Sequence, residues 1–239
     1  MAESEVGWVR SVPPRALDLD PFDRMLLTAD GTVTTLLEAC TREPIITRTT
    51  RQAGPATLER LLATAGRWWH PDAQLLELTP AERLIARRVT LRGARTGLAH
   101  VLAESLVAPD RLPASIADRL ARPGASLGRL LAAHHLETRR DILEIVAARA
   151  GEASEHLGVR PSATLARRTY AIVIGQRTVA AVTEWLAPGR LAALTRASGE
   201  THVGWQPFSR GGTAEGGVAS RECPTPRLPS PAPSSPSIL

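Results

Sequence analysis

The stretch TLARRTYAIVIGQRTVAAVTEWLA, residues 164–187, predicts two antiparallel strands joined by a tight turn. Two runs rich in branched and small apolar residues flank Gly175, a pattern that is typical of a β-hairpin. Side chains alternate between the two faces of a strand, so Glu184 shares its face with Val182 and Leu186. The hairpin therefore predicts a carboxylate in the middle of an apolar face.

Glu184 has two interpretations at this point. Burying a carboxylate without a partner is costly, so a buried glutamate is usually either paired or functional. Glu184 could form a salt bridge with an arginine on a neighbouring strand, or face solvent from an edge strand. It could instead line a pocket and act on a ligand. The strand taken alone favours the structural interpretation, and both remain open.

The other segments predict helices that alternate with further strand pairs. DPFDRMLLTADGTVTTLLEAC predicts two short helices broken at Asp30-Gly31, and EPIITRTTRQ predicts a strand. Helices are predicted over residues 56–65 and 80–86, the second beginning at a Thr-Pro pair. RRVTLRG and LAHVLAESLVAP predict a hairpin, DRLPASIADRLA and ASLGRLLAAHHLE predict helices, and TRRDILEIVAA is ambiguous. This order indicates a single α+β domain with an antiparallel sheet.

Two consecutive arginines begin the strand RRVTLRG, and they must point to opposite faces. Arg87 shares its face with Val89 and Leu91, the bulkier apolar side chains, so it is the one predicted to point inward. A buried guanidinium offers a planar fork that fits a carboxylate. The structural alternative is that Arg87 pairs with an acid of the protein such as Glu104.

Two predicted helix starts add candidate anion-binding groups. Backbone N–H groups are free near Thr32 and Val33 and again near Leu127 and Gly128, and such helix ends attract anions. Every helix has such an end, so this signal is weak alone. Together with the inward arginine and glutamate, it predicts a small pocket for an anion that also carries a hydroxyl group.

Composition excludes several other functions. The 239 residues are 43% hydrophobic but only 3% aromatic, which suits a core of aliphatic side chains. All 29 basic residues are arginines, scattered among acids, so the net charge of +5 does not indicate nucleic-acid binding. Cys40 and Cys223 form no metal-binding motif, and the adjacent histidines of HHLE, residues 134–137, diverge by about 100° on a helix. No metal and no cofactor are expected.

The chain termini predict flexible segments. Residues 1–20 are expected to be a loose leader without the apolar core of a signal peptide, and residues 198–239 a disordered tail rich in Pro, Ser and Gly. The folded domain is predicted over residues 21–197. No apolar run approaches the length of a membrane span, so a cytoplasmic protein without membrane contact is expected.

The segments LIARRVTLRG, VLAESLVAPDRLP, SLGRLLAAHHLET and VAAVTEWLAP follow one another in an order that resembles the chorismate pyruvate-lyase superfamily. The resemblance covers about residues 22–188 and is greatest to the branch that makes 4-hydroxybenzoate for phenolic lipids and other secondary metabolites. The same fold serves as the effector-binding domain of GntR-type regulators. Those carry a winged helix before it, whereas only about twenty residues precede the match here, which favours the enzyme.

The resemblance implies both a fold and a reaction. It implies an antiparallel sheet with helices on one side, an enclosed ligand pocket, and a strand for TRRDILEIV. The family's binding arginine falls on Arg87, its acid on Glu184, and its backbone donors on Val33 and Leu127. The implied reaction eliminates pyruvate from chorismate to give 4-hydroxybenzoate without a cofactor, in a monomer or weak dimer. A non-catalytic small-molecule binder of the same fold is the alternative.

Overall fold

A six-stranded antiparallel sheet organises residues 19–197, the part of the chain that the computed structural model describes. The strands are β1 (Ile45–Ala56), β2 (Leu84–Gly93), β3 (Ala99–Val107), β4 (Thr138–Arg149), β5 (Thr164–Ile174) and β6 (Arg177–Leu186). The helices are α1 (Pro21–Thr28), α2 (Val33–Thr41), α3 (Leu58–Ala65), α4 (Ala114–Leu120), α5 (Leu127–Ala133), α6 (Ala153–Leu157) and α7 (Arg190–Ala197). Short 3₁₀ turns cover Ala73–Leu76 and Pro109–Arg111.

The strands lie in the order β1-β2-β3-β6-β5-β4, and every neighbouring pair is antiparallel. The β2–β3 and β5–β6 hairpins meet at the centre, where β3 pairs with β6. The turn between β5 and β6 contains Gly175 at a φ of +60°, a conformation that glycine adopts without steric cost. Glu184 of β6 thus lies between Ala103 of β3 and Arg168 of β5.

Two faces of this sheet bury different sets of residues. The front face, defined by Arg87, Val182 and Glu184, is covered by α1, α2, α4 and α5. The back face, defined by Ala86, Leu102 and Trp185 on the same central strands, is covered by α3, α6 and the loop that carries Trp68 and Trp69. Both faces therefore contribute to the hydrophobic core.

The predicted α+β class and antiparallel sheet are confirmed, with one addition and one error. Helices cover the back face as well as the front. The helix predicted over residues 80–86 is wrong: Pro80 and Ala81 form a turn, and β2 begins at Leu84. Leu84 and Ile85 are at most 1% exposed, because β2 is buried on both faces, and such a strand lacks the polar alternation that distinguishes it from a helix.

The other predicted elements are present, but the helix predicted over ASLGRLLAAHHLE ends at Ala133, so that His134 and His135 lie in a turn. Residues 138–149, whose periodicity was ambiguous, form β4. The boundaries predicted for the leader and the tail concern residues 1–18 and 198–239, which lie outside the described residues. Within the described part, Leu19 is buried against α1, and the side chain of Asp20 caps that helix by accepting a hydrogen bond from the backbone of Asp23.

His100 of β3 is a buried histidine whose two ring nitrogens have no hydrogen-bond partner among the described residues. Burial lowers the pKa of its ring below 6.5; the charge of Glu43 raises it and that of Arg190 lowers it further. The folded protein therefore holds this ring in its neutral form.

We expect acid to destabilise the fold through His100. The unfolded chain binds a proton at this ring near pH 6.5 and the native protein resists it, so the free energy of unfolding falls as the pH drops below about 6.5. Denaturant titrations at about pH 7.5 and about pH 5.5 should show a smaller loss for His100→Gln than for wild type. The exposed-site control His135→Asn should keep the wild-type loss; an unchanged pH dependence in His100→Gln would contradict the assignment.

Candidate functional site

A cavity of about 70 Å³ lies between the front face of the sheet and the beginnings of α2 and α5. All six residues that the sequence singles out line it: Thr32, Val33, Arg87, Leu127, Gly128 and Glu184. The sheet supplies the two charged side chains and the helix starts supply the rest. The structure thus brings the predicted residues together, while their roles in binding or catalysis remain predictions.

Arg87 is a buried cation without an acidic partner. Its side chain is 2% exposed, Nε donates to Oε1 of Gln52 at 3.1 Å, and Nη2 donates to the carbonyl of Ala125 at 2.6 Å. Within residues 19–197 no carboxylate forms an ion pair with it. Burial lowers the pKa of Arg87 to about 10, which still leaves the guanidinium charged at neutral pH. A buried charge in this situation is stabilised by an anionic ligand.

The neighbouring Arg88 is also buried, which the sequence did not predict. It is 8% exposed on the back face, where Nε donates to Oε1 of Glu104 at 2.7 Å and Nη2 donates to the carbonyl of Trp68 at 2.7 Å. The alternative in which Glu104 pairs with Arg87 is therefore wrong. The two arginines do point to opposite faces, and both are buried because each face is covered.

Glu184 forms the salt bridge that one interpretation predicted and also lines a cavity, while its action on a ligand stays a prediction. It is 4% exposed and lines the cavity, and it also pairs with an arginine on a neighbouring strand. Nε of Arg168 donates to its Oε2 at 2.7 Å, and the hydroxyl of Tyr170 donates to its Oε1 at 3.1 Å. Arg168 and Tyr170 of β5 therefore hold the carboxylate of Glu184 in one orientation.

Arg168 and Tyr170 are site residues that sequence reasoning missed. Nη1 of Arg168 donates to the carbonyls of Leu26 and Ala29 at the end of α1, at 2.6 and 3.1 Å. Burial opposes the charge of Arg168, but the nearby Glu184 and Tyr170 outweigh it, so the pKa of Arg168 is raised. The pKa of Tyr170 is also raised, first by burial and then by the charge of Glu184. The sequence did contain a signal for these two residues. Arg168 and Tyr170 lie two positions apart and so share one face of β5, and the hairpin register places Arg168 opposite Glu184.

Arg140 of β4 is a second cation at the cavity, and the sequence gave it no role. Its half-buried side chain lines the cavity, and Nη1 donates to the carbonyl of Asp30. In the described part of the chain it forms no ion pair with a carboxylate. The cavity is therefore lined by Glu184, which Arg168 neutralises, and by two arginines that no described carboxylate pairs with.

The helix starts approach each other closely at the cavity. Thr32 precedes α2 without a side-chain capping bond, whereas Ser126 caps α5 by accepting from the backbone of Arg129 at 3.5 Å. A Cβ atom at Gly128 would lie 3.0 Å from the methyl group of Thr32, so glycine permits this approach. The two helix starts consequently close one side of the cavity.

Among residues 19–197, no group of three or more His, Cys, Asp and Glu side chains is arranged to hold a metal ion. The ring of His134 instead contacts the hydroxyl of Ser115 and the carbonyl of Leu130. The helices of this part of the chain are all too short or too polar to span a membrane.

Comparison with known proteins identifies the family. A family model described as chorismate pyruvate-lyase Rv2949c-like matches residues 27–194. The chain belongs to this family. It is 28% identical over 162 residues to a chorismate pyruvate-lyase of Mycobacterium tuberculosis, covering 67% of this chain and 77% of that protein. It is 30% identical over 131 residues to one of Mycobacterium leprae, covering 55% and 56%.

Solved structures support the fold assignment. The crystal structure of PhnF from Mycobacterium smegmatis superposes with a TM-score of 0.50 at 12% sequence identity, over 68% of this chain and 66% of that chain. At this identity the similarity concerns the fold alone. The fold that the sequence resemblance implied is therefore found in the structure and in a solved protein.

We expect the two adjacent arginines to differ in their effect on stability. Arg88→Met removes one partner of a buried ion pair and leaves Glu104 without its guanidinium, which costs about 3–5 kcal/mol in the free energy of unfolding. Arg87→Met removes two hydrogen bonds, worth together at least about 1–3 kcal/mol, but it also relieves the burial of a charge without an acidic partner, so its net cost should be smaller than that of Arg88→Met. Urea titrations of both variants measure the difference, and equal losses would contradict it.

Proposed function

We propose that this protein eliminates pyruvate from chorismate and releases 4-hydroxybenzoate. The observation that carries the proposal is the charge arrangement of the front cavity, in a chain of the chorismate pyruvate-lyase family. Arg87 and Arg140 bring two positive charges without acidic partners, and Glu184 brings one carboxylate that is already neutralised by Arg168. A dianionic ligand with a removable proton fits this arrangement.

Chorismate carries two carboxylates, one on its ring and one on its enolpyruvyl ether. In our proposal Arg87 binds the ring carboxylate through a charge-assisted pair of hydrogen bonds, helped by the backbone N–H groups of Val33 and Leu127. Arg140, which lines the same cavity, binds the enolpyruvyl carboxylate. Once pyruvate has left, the product retains only the ring carboxylate, so Arg140 discriminates substrate from product.

Elimination requires the loss of one ring proton and one carbon–oxygen bond. Glu184 takes the proton from the hydroxyl-bearing ring carbon, and the electrons of that C–H bond complete the aromatic ring. The adjacent carbon–oxygen bond breaks, its electron pair leaves with enolpyruvate, and a proton on the methylene carbon completes pyruvate. The aromatic product makes the reaction strongly downhill. Base catalysis of this kind contributes about 10²–10⁴-fold to the rate.

Arg168 and Tyr170 act in this scheme as positioning residues. Their hydrogen bonds occupy one site on each carboxylate oxygen of Glu184 and hold the group in one orientation. Each oxygen of a carboxylate has a further lone pair, so Glu184 can still accept a proton. A base held in a fixed geometry loses little entropy on reaching the transition state.

The direct test is to incubate the purified protein with chorismate. Formation of pyruvate, followed through NADH consumption by lactate dehydrogenase, and of 4-hydroxybenzoate, followed by chromatography, would support the proposal. Chromatography also distinguishes 4-hydroxybenzoate from its 3-isomer. Tight binding of chorismate without release of pyruvate would instead support the alternative, a small-molecule binding protein of the same fold.

We expect Glu184→Gln to lower kcat by at least about 100-fold while 4-hydroxybenzoate binding stays within about tenfold of wild type. The amide keeps the size and an oxygen acceptor for Arg168, but it cannot take the ring proton. Stopped assays give kcat, calorimetric titration gives the affinity, and circular dichroism monitors the fold. Near-normal turnover in this variant would remove Glu184 from the role of base.

We expect Arg140→Gln and Arg87→Met to separate substrate from product. Arg140→Gln should weaken chorismate binding by about tenfold or more and change 4-hydroxybenzoate binding by less than about threefold, because only chorismate has the second carboxylate. Arg87→Met should weaken both by about tenfold or more. Arg139→Gln, an exposed neighbour paired with Asp141, is the matched control. A loss of product affinity in Arg140→Gln would contradict the division.

A further inference from the structure

A second and larger cavity, of about 380 Å³, opens on the back face of the sheet. We call it the back cavity, and it is lined in part by Trp68, His70, Glu104 and Trp185. It is separate from the front cavity because the two use alternate residues of the same strands. Thus Arg88 and Glu104 face the back, whereas Arg87 and Ser105 face the front.

The floor of the back cavity is a buried polar network centred on Glu104. This carboxylate is 1% exposed, and it accepts hydrogen bonds from Arg88 and from the backbone N–H of His70, at 2.7 and 3.0 Å. It also bonds Nδ1 of the His70 ring. When Nδ1 carries the proton, Nε2 of His70 can accept a hydrogen bond, and it has no partner within residues 19–197.

Tryptophans form the walls. The ring of His70 packs edge-on against Trp185 with centroids 4.9 Å apart, and Trp68 packs edge-on against Trp69 at 5.6 Å. The indole N–H groups of Trp68 and Trp185 are buried and make no hydrogen bond to any described residue. Buried indole N–H groups usually have an acceptor. The apolar rings of the walls suit a planar aromatic ligand.

The charges around the mouth favour an anion. Arg67 and Arg149 are exposed, line the cavity and form no ion pair with any residue between 19 and 197. Arg88 and Glu104 neutralise each other, and Glu152 contributes one exposed negative charge. The lining therefore keeps one net positive charge, and its free guanidiniums can bind a carboxylate in a bidentate manner.

We propose that the back cavity binds a hydroxylated aromatic carboxylate. The aromatic ring lies against Trp68 and Trp185, the carboxylate is bound by Arg67 and Arg149, and the hydroxyl group donates to Nε2 of His70. The volume of about 380 Å³ admits a ligand longer than benzoate, and it exceeds the front cavity's volume of about 70 Å³. This site takes no part in the turnover of chorismate.

Calorimetric titration with 4-hydroxycinnamate, carried out in wild type and in a variant whose front cavity is disabled, tests the proposal. Arg67→Gln combined with Arg149→Gln should weaken 4-hydroxycinnamate binding by at least about tenfold. Arg60→Gln combined with Arg119→Gln removes the same charge from exposed positions on α3 and α4 and should leave the affinity unchanged. Arg87→Met, which disables the front cavity, should also leave it unchanged.

A change of probe tests the two polar contacts separately. Cinnamate lacks the hydroxyl group and should bind several-fold more weakly, while 4-vinylphenol lacks the carboxylate and should not respond to the loss of Arg67 and Arg149. Absence of 4-hydroxycinnamate binding up to about 1 mM would overturn the proposal. So would a loss of binding in Arg87→Met, which would assign the ligand to the front cavity, or an equal loss in the Arg60 and Arg119 control.

Discussion

The ion pair between Arg168 and Glu184 connects the fold with the candidate site. It joins β5 to β6, and the same guanidinium binds the carbonyls at the end of α1, so it fixes that helix to the sheet. A buried pair contributes little net stability when complete but is costly to break. Without Glu184, the buried charge of Arg168 would lack its acidic partner. The ion pair also holds the carboxylate of Glu184 at the cavity wall in one orientation.

The unmatched arginines of the front cavity stand in contrast to this pair. Arg87 is nearly as buried as Arg168 but hydrogen-bonds only to neutral groups, and burial lowers its pKa to about 10. Burying the charge of Arg87 destabilises the folded chain, and an acid opposite Arg87 would offset this effect. An acid there would also compete with an anionic ligand for the guanidinium. Among the described residues no acid neutralises this charge, a pattern that is common at functional sites.

Strand alternation was sufficient to predict that Arg87 and Glu184 meet in the front cavity. It pointed Arg87 and Glu184 inward, and the hairpin around Gly175 gave the register that sets β6 beside β5. Alternation says nothing about what lies over each face. The error at residues 80–86 and the unexpected burial of Arg88 have this one cause, since the loop that carries Trp68 covers the back of β2. That contact joins residues distant in sequence, and no local pattern encodes it.

A sheet covered on both faces has a further consequence for function. Each central strand contributes alternate residues to two cavities, so Arg87 and Arg88, or Glu184 and Trp185, are neighbours in sequence but face different spaces. A shift in the backbone of a central strand at one cavity therefore also moves the residues of that strand that line the other cavity. Arg88 is held by Glu104 and by the carbonyl of Trp68, and Glu184 by Arg168 and Tyr170, so both faces resist such a shift. If ligands at the two cavities do influence each other, the effect on affinity must be reciprocal, because linkage between two binding sites is a single free energy.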